Sequence, residues 1–165
     1  MNRNIVIIIA ATIAATSLTG CRLLSGQKDA PPSGVEYKLS DAEFGIVRDW
    51  CAARLGNQAA RSVQPPRCIL METKSEHNGR PYFALKDVGN VTAYYDRRWK
   101  TIFFAADPAD ATRPHPYIMR PDGIARCHEY VHAIEHGLGM PHNGDHEGVL
   151  FPKPRPNLAR YRRGR

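Results

Sequence analysis

The sequence contains no hydrophobic run long enough to cross a bilayer comfortably, no internal repeat and no low-complexity core. Its longest apolar run, Ile5 to Ala15, is broken by Thr12, whereas a membrane-spanning helix needs about 20 apolar residues. The run therefore favours a removable signal over a transmembrane segment. Roughly 145 residues follow a signal of this length, which predicts one domain with one modest core.

The N-terminus has the organisation of an export signal. Arg3 supplies positive charge before the apolar run, and the run ends in the sequence LTGC at Leu18 to Cys21. This segment resembles the lipobox of bacterial lipoproteins, in which the signal is cut just before a diacylated cysteine. The resemblance implies a signal peptide over residues 1–20 and a lipid anchor on Cys21. Arg22 stands where inner-membrane lipoproteins tend to carry Asp, which implies an envelope protein at the outer membrane, facing the periplasm, in a Gram-negative host.

Composition divides the remaining chain into three parts. Residues 21–36 are rich in Gly, Pro, Ser and charge, which predicts a lipidated, flexible tether. Residues 37–152 form the expected catalytic domain, and residues 153–165 form a basic tail rich in Pro and Arg, in a chain of net charge +7. Such a tail is typical of nucleic-acid binding inside cells, but the export signal argues against nucleic acid. An anionic surface is the expected partner, and a solvated end is the alternative.

The chain has only four cysteines, and Cys21 is assigned to lipid. Disulfides can form outside the cytosol. Cys51 and Cys68 are the expected pair, which would tie a helix to the strand after it. Cys127 would then be unpaired and packed in the core, although spacing alone does not fix connectivity.

A first helix and several strands are predicted upstream of residue 121. Ser40 and Glu43 have the spacing of a capping box, apolar residues then recur at helical intervals as far as Leu55, and Gly56 ends the helix. A long loop is expected from Asp107 to Pro121. The fold class is therefore α+β, with one helix, a small and mostly antiparallel sheet and a second helix. The predicted strands are Cys68 to Met71, Tyr82 to Val88, Val91 to Tyr95 and Thr101 to Ala105.

The second helix is expected to begin after Asp122 as N-cap and to end at Gly137 as C-cap. A buried stripe is predicted at intervals of three and four residues. Its members are Ile124, Cys127, Val131, Ile134 and Leu138.

The second helix also carries the sequence HEYVH, from His128 to His132. Histidines four residues apart lie one turn apart on one face, so both imidazoles can reach a single metal ion. Glu129, beside the first histidine, can reach a water molecule at that ion and act as general base. The alternative is a solvated helix with two histidines and no metal.

This pattern resembles the HExxH signature of the zincin metallopeptidases. The resemblance covers five residues and their helical setting. It implies a minimal zincin-like domain that binds Zn²⁺ through His128 and His132 and hydrolyses a peptide bond with Glu129 as the catalytic base.

A third ligand is needed in a catalytic zinc site, and several donors follow the motif. His136 lies one further turn along the helix, a rise of ~5.4 Å, so it is too far to share an ion with His128. Glu135 is better suited to a hydrogen bond behind the ligands or to surface charge. Helix-breaking glycines and a proline then let the chain turn back over the motif. That segment supplies His142, Asp145, His146 and Glu147.

Two family comparisons bear on the choice of third ligand. The segment around His142 loosely resembles the metzincin ligand turn, but its spacing differs and no methionine follows Met140. The sequence DHEGVLF, from Asp145 to Phe151, is similar to the region of the third ligand in SprT-like metalloproteases. We therefore expect His146 as third ligand and His142 as the alternative, with a carboxylate of Asp145 or Glu147 also open.

The expected substrate is a peptide or protein of the envelope. In zincins an edge strand above the active helix pairs with extended substrate, and the strand Thr101 to Ala105 or its neighbour is the candidate here. Four side chains are open as oxyanion donors. They are Tyr94, Tyr95, Tyr117 and His115.

Two other functions compete with a zinc metallopeptidase. The first is a non-catalytic, zinc-binding envelope lipoprotein that acts as an adaptor, with a closed coordination sphere formed by His142 and His146 together. The second is an envelope-binding module that uses the basic tail, in which the histidine motif is accidental. Zinc content separates the second from the others.

Overall fold

The computed structural model describes residues 30–144, 146–151 and 158, which form two α-helices, one 3-10 helix and eight strands. Helix α1 spans Asp41–Leu55, the 3-10 helix spans Gln58–Ser62, and helix α2 spans Ile124–Gly137. The α+β class is confirmed. The strands are β1 Val35–Tyr37, β2 Arg67–Met71, β3 Ser75–His77, β4 Arg80–Leu85, β5 Gly89–Val91, β6 Ala93–Asp96, β7 Thr101–Asp107 and β8 Asp110–Pro114.

The main sheet has the order β1-β2-β7-β6, and β8 pairs with β7. The β2–β7 pair is parallel, with Cys68 opposite Ile102, and the other pairs are antiparallel. A smaller antiparallel sheet has the order β3-β4-β5. The expectation of a mostly antiparallel sheet is therefore confirmed.

Strand β7 lies inside the sheet, so the suggestion that Thr101 to Ala105 forms an edge is wrong. It pairs with β2 on one side and β6 on the other, and all its residues from Thr101 to Ala106 are buried. A continuous apolar run of this kind is typical of a strand covered on both faces. The edge is instead the neighbouring strand β6, the second option in the sequence-based prediction.

Helices α1 and α2 cover one face of the main sheet. Phe44 and Val47 from α1 pack with Tyr130 and Ile134 from α2 in the larger core cluster. Their rings and methyl groups meet the side chains of one face of β2 and β7, which include Leu70, Ile102 and Phe104. The opposite face is covered by a smaller cluster from β2, β4 and β7, namely Ile69, Phe83, Leu85, Phe103 and Ala105.

Of the two hydrogen bonds in the predicted capping box of α1, the one accepted by the Ser40 side chain is confirmed. The Ser40 side chain accepts a hydrogen bond from Glu43 N, and Gly56 closes the helix in the left-handed region at φ 63°. The Glu43 carboxylate, however, turns toward α2. Its Oε1 accepts a hydrogen bond of 2.9 Å from the Tyr130 hydroxyl and lies 3.0 Å from Arg126 Nε. This buried ion pair joins the start of α1 to the helix that carries the histidine motif.

The ends of α2 differ by one residue from the prediction. Gly123, with φ 62°, is the N-cap in place of Asp122, and a side chain there would collide with Leu158, 2.5 Å from the site of a Cβ. Leu138 is the C-cap in place of Gly137. The predicted stripe is buried at Cys127, Val131 and Ile134 and half-buried at Leu138, whereas Ile124 in the first turn is 56% exposed.

Two segments predicted as irregular contain strands. The loop expected from Asp107 to Pro121 includes β8, whose sequence DATRP lacks an apolar alternation and ends in a proline. The tether expected as far as Glu36 overlaps β1, which pairs with β2, and the folded unit begins at Pro31. The predicted strand Tyr82 to Val88 is β4 with earlier bounds, and Val91 to Tyr95 divides between β5 and β6.

Cys51, Cys68 and Cys127 are buried and form no disulfide with one another, so the structure does not contain the disulfide predicted between Cys51 and Cys68. The Cys68 Sγ lies 3.8 Å from the carbonyl oxygen of Pro66, just upstream of its own strand. Burial raises the pKa of both Cys51 and Cys68 to about 12. These thiols are therefore protonated, unreactive core residues.

Several sequence predictions lie outside the described residues. They concern the signal over residues 1–20, Cys21, the tether as far as residue 29 and almost all of the tail at 153–165. Within the described residues, no helix is both long enough and apolar enough to cross a membrane.

Candidate metal centre

His128 and His132 project from the same face of α2, as their spacing requires. Their Nε2 atoms lie 3.2 Å apart and their ring centroids are 4.8 Å apart. Both side chains are mostly shielded from solvent, with 24% exposure for His128 and 13% for His132. The helix therefore presents two imidazole nitrogens to one point.

His146 completes a group of three. Its Nε2 lies 3.2 Å from His132 Nε2, and the ligand atoms of all three histidines lie within 4.8 Å of one another. Two nitrogens that bind one zinc ion tetrahedrally at 2.0–2.1 Å lie about 3.3 Å apart, which the two measured separations approach. The structure therefore brings together three residues that can hold a metal ion, and these include the third ligand expected from the sequence.

The backbone of His146 has φ 58°, in the left-handed region that non-glycine residues seldom occupy. Neighbouring bonds hold this conformation. The Asn143 side chain donates to Glu147 O at 2.6 Å and accepts from Glu147 N at 3.0 Å, so it holds the backbone of the residue that follows His146. Unusual backbone conformations that the surroundings enforce are typical of functional sites.

The other candidate ligands lie outside the group. His142 is exposed, and its ring centroid is 6.4 Å from that of His132. It lines a cavity that the three histidines also line. Glu147 is exposed, and Asp145 lies outside the described residues. His136 points away from the centre, because its Nδ1 is 2.8 Å from the Tyr95 hydroxyl.

Glu135 stands behind the histidines, as its position one turn after the motif predicts. Its side chain is 5% exposed, and Oε2 lies 3.5 Å from His132 Nδ1. Its Oε1 accepts a hydrogen bond of 3.3 Å from Asn143 Nδ2. One buried carboxylate thus contacts both a helical ligand and the loop that carries His146. A carboxylate behind a ligating histidine fixes the ring and raises its basicity.

Phe151 forms the floor of the centre. It is 6% exposed, and its ring centroid lies 5.6 Å, 4.9 Å and 5.0 Å from those of His128, His132 and His146. The ring limits the rotation of all three imidazoles and excludes water from one side. Neither Asn143 nor Phe151 was assigned a role from the sequence, because both act through contacts that form only when the chain turns back.

Glu129 is buried beside the cluster. The residue is 6% exposed, its Oε1 lies 4.0 Å from His128 Nε2, and it lines the cavity next to the histidines. This cavity has a volume of about 250 Å³ and opens along strand β6. The three histidines therefore have two neighbours, the Glu129 carboxylate and a cavity with space for a substrate.

Strand β6 offers backbone hydrogen-bonding groups at the rim of that cavity. Thr92 O accepts from Ala105 N at 3.1 Å, so the peptide groups of Thr92 and Tyr94 face β7. Because these groups alternate along a strand, those of Ala93 and Tyr95 point away from β7. Ala93 and Tyr95 both line the cavity.

The four oxyanion candidates differ in their hydrogen-bond partners and in the cavity that each one lines. The Tyr95 hydroxyl forms a hydrogen bond with His136. His115 forms one of 3.0 Å with Glu76 and does not line the cavity. Tyr117 lines a second cavity, which adjoins the first at His128 and Glu129. Tyr94 lines the first, and its hydroxyl makes no hydrogen bond within the described residues. Burial, together with the charges of Asp96 and Glu129, raises the pKa of Tyr94, so its hydroxyl remains a proton donor.

No protein-family model, curated protein or solved structure matches this chain. The resemblance of the His128–His132 segment to the zincins therefore remains a prediction. The chemistry of the site has to be inferred from its own residues.

Proposed function

We propose that this chain is a zinc-dependent metallopeptidase in which His128, His132 and His146 hold the ion and Glu129 is the general base. The observation that carries the proposal is the meeting of three imidazole nitrogens and a buried carboxylate at one cavity. The cavity also runs beside an edge strand, which suits an extended peptide.

The donor set favours zinc over other biological cations. Three neutral imidazoles suit zinc, copper, iron and nickel, whereas magnesium and calcium prefer oxygen ligands. Three protein ligands with open space beside them are typical of catalytic zinc sites, and four are typical of structural ones. The three-histidine group and its 250 Å³ cavity fit the catalytic type.

Zinc, when bound, would polarise a substrate carbonyl and lower the pKa of a water molecule. Glu129 accepts a proton from the attacking water and returns it to the leaving amine. The Tyr94 hydroxyl donates to the carbonyl oxygen as negative charge develops there. Glu135 holds His132 in one tautomer, with the proton on Nδ1 and the Nε2 lone pair directed at the ion.

The peptide is expected to add to the sheet along β6. Its backbone would pair with the outward-facing groups of Ala93 and Tyr95, which would place the scissile bond over the His128–Glu129 segment. This mode of binding recognises the peptide backbone and not its side chains. Selectivity for particular side chains must therefore come from the pockets that flank the strand.

The lipobox-like sequence at Leu18 to Cys21 supports the proposal that this activity belongs to the bacterial envelope. The signal over residues 1–20 and the lipid on Cys21 would tether the enzyme to a membrane, so its substrate would be a peptide or protein of that compartment. The basic tail at 153–165 would add affinity for an anionic surface. No nucleic acid is expected as a partner.

The competing function is a zinc-binding adaptor without catalysis. The observation in its favour is that His142 lines the same cavity as the three ligands. Closure of the coordination sphere by His142 would leave no position for substrate.

The test combines metal content with cleavage. The full chain should retain about one zinc, and it should cleave members of a peptide mixture from a digested bacterial proteome, followed by mass spectrometry. Glu129→Gln should keep zinc and lose activity by about 100-fold or more, because a general base contributes that much. Glu147→Gln, at an exposed carboxylate nearby, should keep both.

Three outcomes would contradict the proposal. Cleavage that survives Glu129→Gln would exclude this mechanism. Zinc that is retained without any cleavage, and released when His142 is replaced, would favour the adaptor. A chain that binds no zinc would leave the motif accidental.

A further inference from the structure

A second cavity, of about 300 Å³, adjoins the first at His128 and Glu129 and extends from there toward the N-terminal end of α2, where Ile124 and Ala125 line it. We propose that this cavity is a substrate subsite in which Arg80 binds a carboxylate of the residue next to the scissile bond. The inference rests on the proposed peptidase function and names its substrate class. The lining residues that carry the argument are Arg80, Thr92, Ala93, Tyr117, Ile124 and Ala125.

The position of this cavity fixes which part of a peptide could enter it. Ala93, His128 and Glu129 line both cavities. A peptide that follows β6 from the first cavity to the second must therefore pass His128 and the proposed general base Glu129. The side chain or terminus that enters the second cavity belongs to the residue flanking the bond over Glu129.

Arg80 is held in a fixed orientation at this site. Its Nε donates a hydrogen bond of 2.9 Å to Oγ1 of Thr92, a residue only 4% exposed. The guanidinium carbon lies 5.5 Å from the ring centroid of Tyr82 and 5.9 Å from that of Tyr117. Cation–π contacts and one hydrogen bond thus orient the group before any ligand arrives.

The remaining donors of Arg80 are available. Within the described residues, Nη1 and Nη2 make no hydrogen bond or ion pair. Those nitrogens present paired N–H groups whose spacing matches the two oxygens of a carboxylate. A positive charge that no carboxylate of the described residues neutralises, in a cavity next to a proposed peptidase centre, favours an anionic ligand.

Arg120 provides the internal contrast. Its guanidinium carbon also lies close to the Tyr117 ring, at 5.5 Å from the centroid, but Nη2 is 3.2 Å from Asp122 Oδ2. Arg120 is not among the residues that line the cavity. It has the same aromatic neighbour and the same charge, so it serves as a matched control.

The rest of the cavity accommodates a short aliphatic stem. Ala93 and Ala125 leave room beside the arginine, and Ile124 exposes 56% of its surface at the rim. Asp and Glu side chains combine such a stem with a carboxylate, and so does the C-terminal residue of a peptide. Lys and Arg in the same place would meet the like charge of Arg80.

Binding of peptide hydroxamates to the zinc-loaded full chain tests this assignment without any need for turnover. Three probes share one sequence. The first carries an acidic side chain in the residue after the hydroxamate group and ends in an amide, the second has a neutral side chain and a free C-terminal carboxylate, and the third is neutral and amidated. We expect the first or the second to bind about tenfold or more tighter than the third, as hydrogen bonds between charged groups predict. The stronger of the two identifies the source of the carboxylate.

Variants decide whether Arg80 causes the preference. Arg80→Gln should bind all three probes with affinities within about twofold of the neutral probe, while Arg120→Gln should keep the wild-type preference. Arg80→Glu should reverse the preference toward a probe with a basic side chain.

The outcomes separate this inference from the proposed function. Equal binding of all three probes, no binding of any, or a preference that survives Arg80→Gln would overturn the Arg80 subsite. A preference that depends on Arg80 in a chain that cleaves no peptide would support the subsite and count against the peptidase.

Discussion

Oε2 of Glu135 lies 3.5 Å from Nδ1 of His132, on the side of the imidazole that faces away from the other two histidines. The same carboxylate accepts a hydrogen bond from Asn143, whose side chain also holds the backbone of Glu147, next to His146. A single buried group is therefore coupled to the helical ligand pair and to the third ligand. Loss of its charge should weaken metal binding and leave the fold unchanged.

Glu135→Gln should weaken zinc affinity by about 10- to 100-fold, as is usual when the partner behind a ligating histidine is removed. The amide can still contact Asn143, so the loop should keep its position. Competition with a chromophoric zinc chelator measures the change. Glu147→Gln is the control, and equal zinc affinity in the two variants would show that Glu135 has no role at the metal.

His146→Ala should remove most zinc at equilibrium, whereas His142→Ala should leave zinc content unchanged. The reason is geometric, because Nε2 of His146 lies 3.2 Å from that of His132, while His142 does not join the group. Elemental analysis after dialysis against a weak chelator measures both variants. The reverse result would assign the third ligand to His142.

Tyr130→Phe should lower the free energy of unfolding by about 1.5–3 kcal/mol, the usual contribution of a hydrogen bond to a charged group. The Tyr130 hydroxyl is buried and donates to Glu43, so its removal takes one partner from a carboxylate that joins two helices. Urea unfolding measures the difference. Tyr82→Phe, which removes a hydroxyl without a hydrogen bond in the described part of the chain, should change stability by less than about 0.5 kcal/mol.

Protonation of His136 should contribute to a loss of stability as the pH is lowered. Burial, followed by the charges of Arg97 and Lys100, lowers the pKa of His136 below 6.5. The unfolded chain then binds more protons than the folded one as the pH falls from about 6.5 through the lowered pKa, so protonation favours unfolding in that window. The contribution is fully present above pH 6.5.

The variant His136→Gln should lose less stability than the wild type between pH 7.5 and pH 5.5, roughly one unit either side of the ordinary histidine pKa. Glutamine keeps an acceptor for the Tyr95 hydroxyl but does not titrate. Urea unfolding of both zinc-free proteins isolates this residue, because the two proteins differ at no other position. Parallel pH profiles would show that His136 makes no contribution.

The parts of the site that the sequence predicted are those that depend on short range. His128, Glu129 and His132 follow from helical geometry, since residues four apart share a face whatever the rest of the chain does. The α1 cap is similarly local, since Ser40 and Glu43 are three residues apart. His146 was chosen through a resemblance in the segment that follows the helix, and the structure places it with the other two.

The parts that were missed depend on distant partners. Strand β1 has three residues and is defined by its pairing with β2, more than thirty positions later. The sequence left the edge open between β7 and its neighbour, because the choice of β6 depends on β7 being paired with β2 on its other side. Arg80 belongs to the segment NGRP, Asn78 to Pro81, whose composition is typical of a turn, and only its contacts with Thr92 and Tyr117 place it in a cavity.

The division of the ligands between a helix and a loop has a kinetic consequence. His128 and His132 are held on α2 before any metal arrives, so they form a two-point landing site. His146 joins from a segment kept in place by the Asn143 side chain. Metal exchange should therefore proceed in steps, with His146 last to bind and first to leave, and the rate of release should follow the opening of that segment.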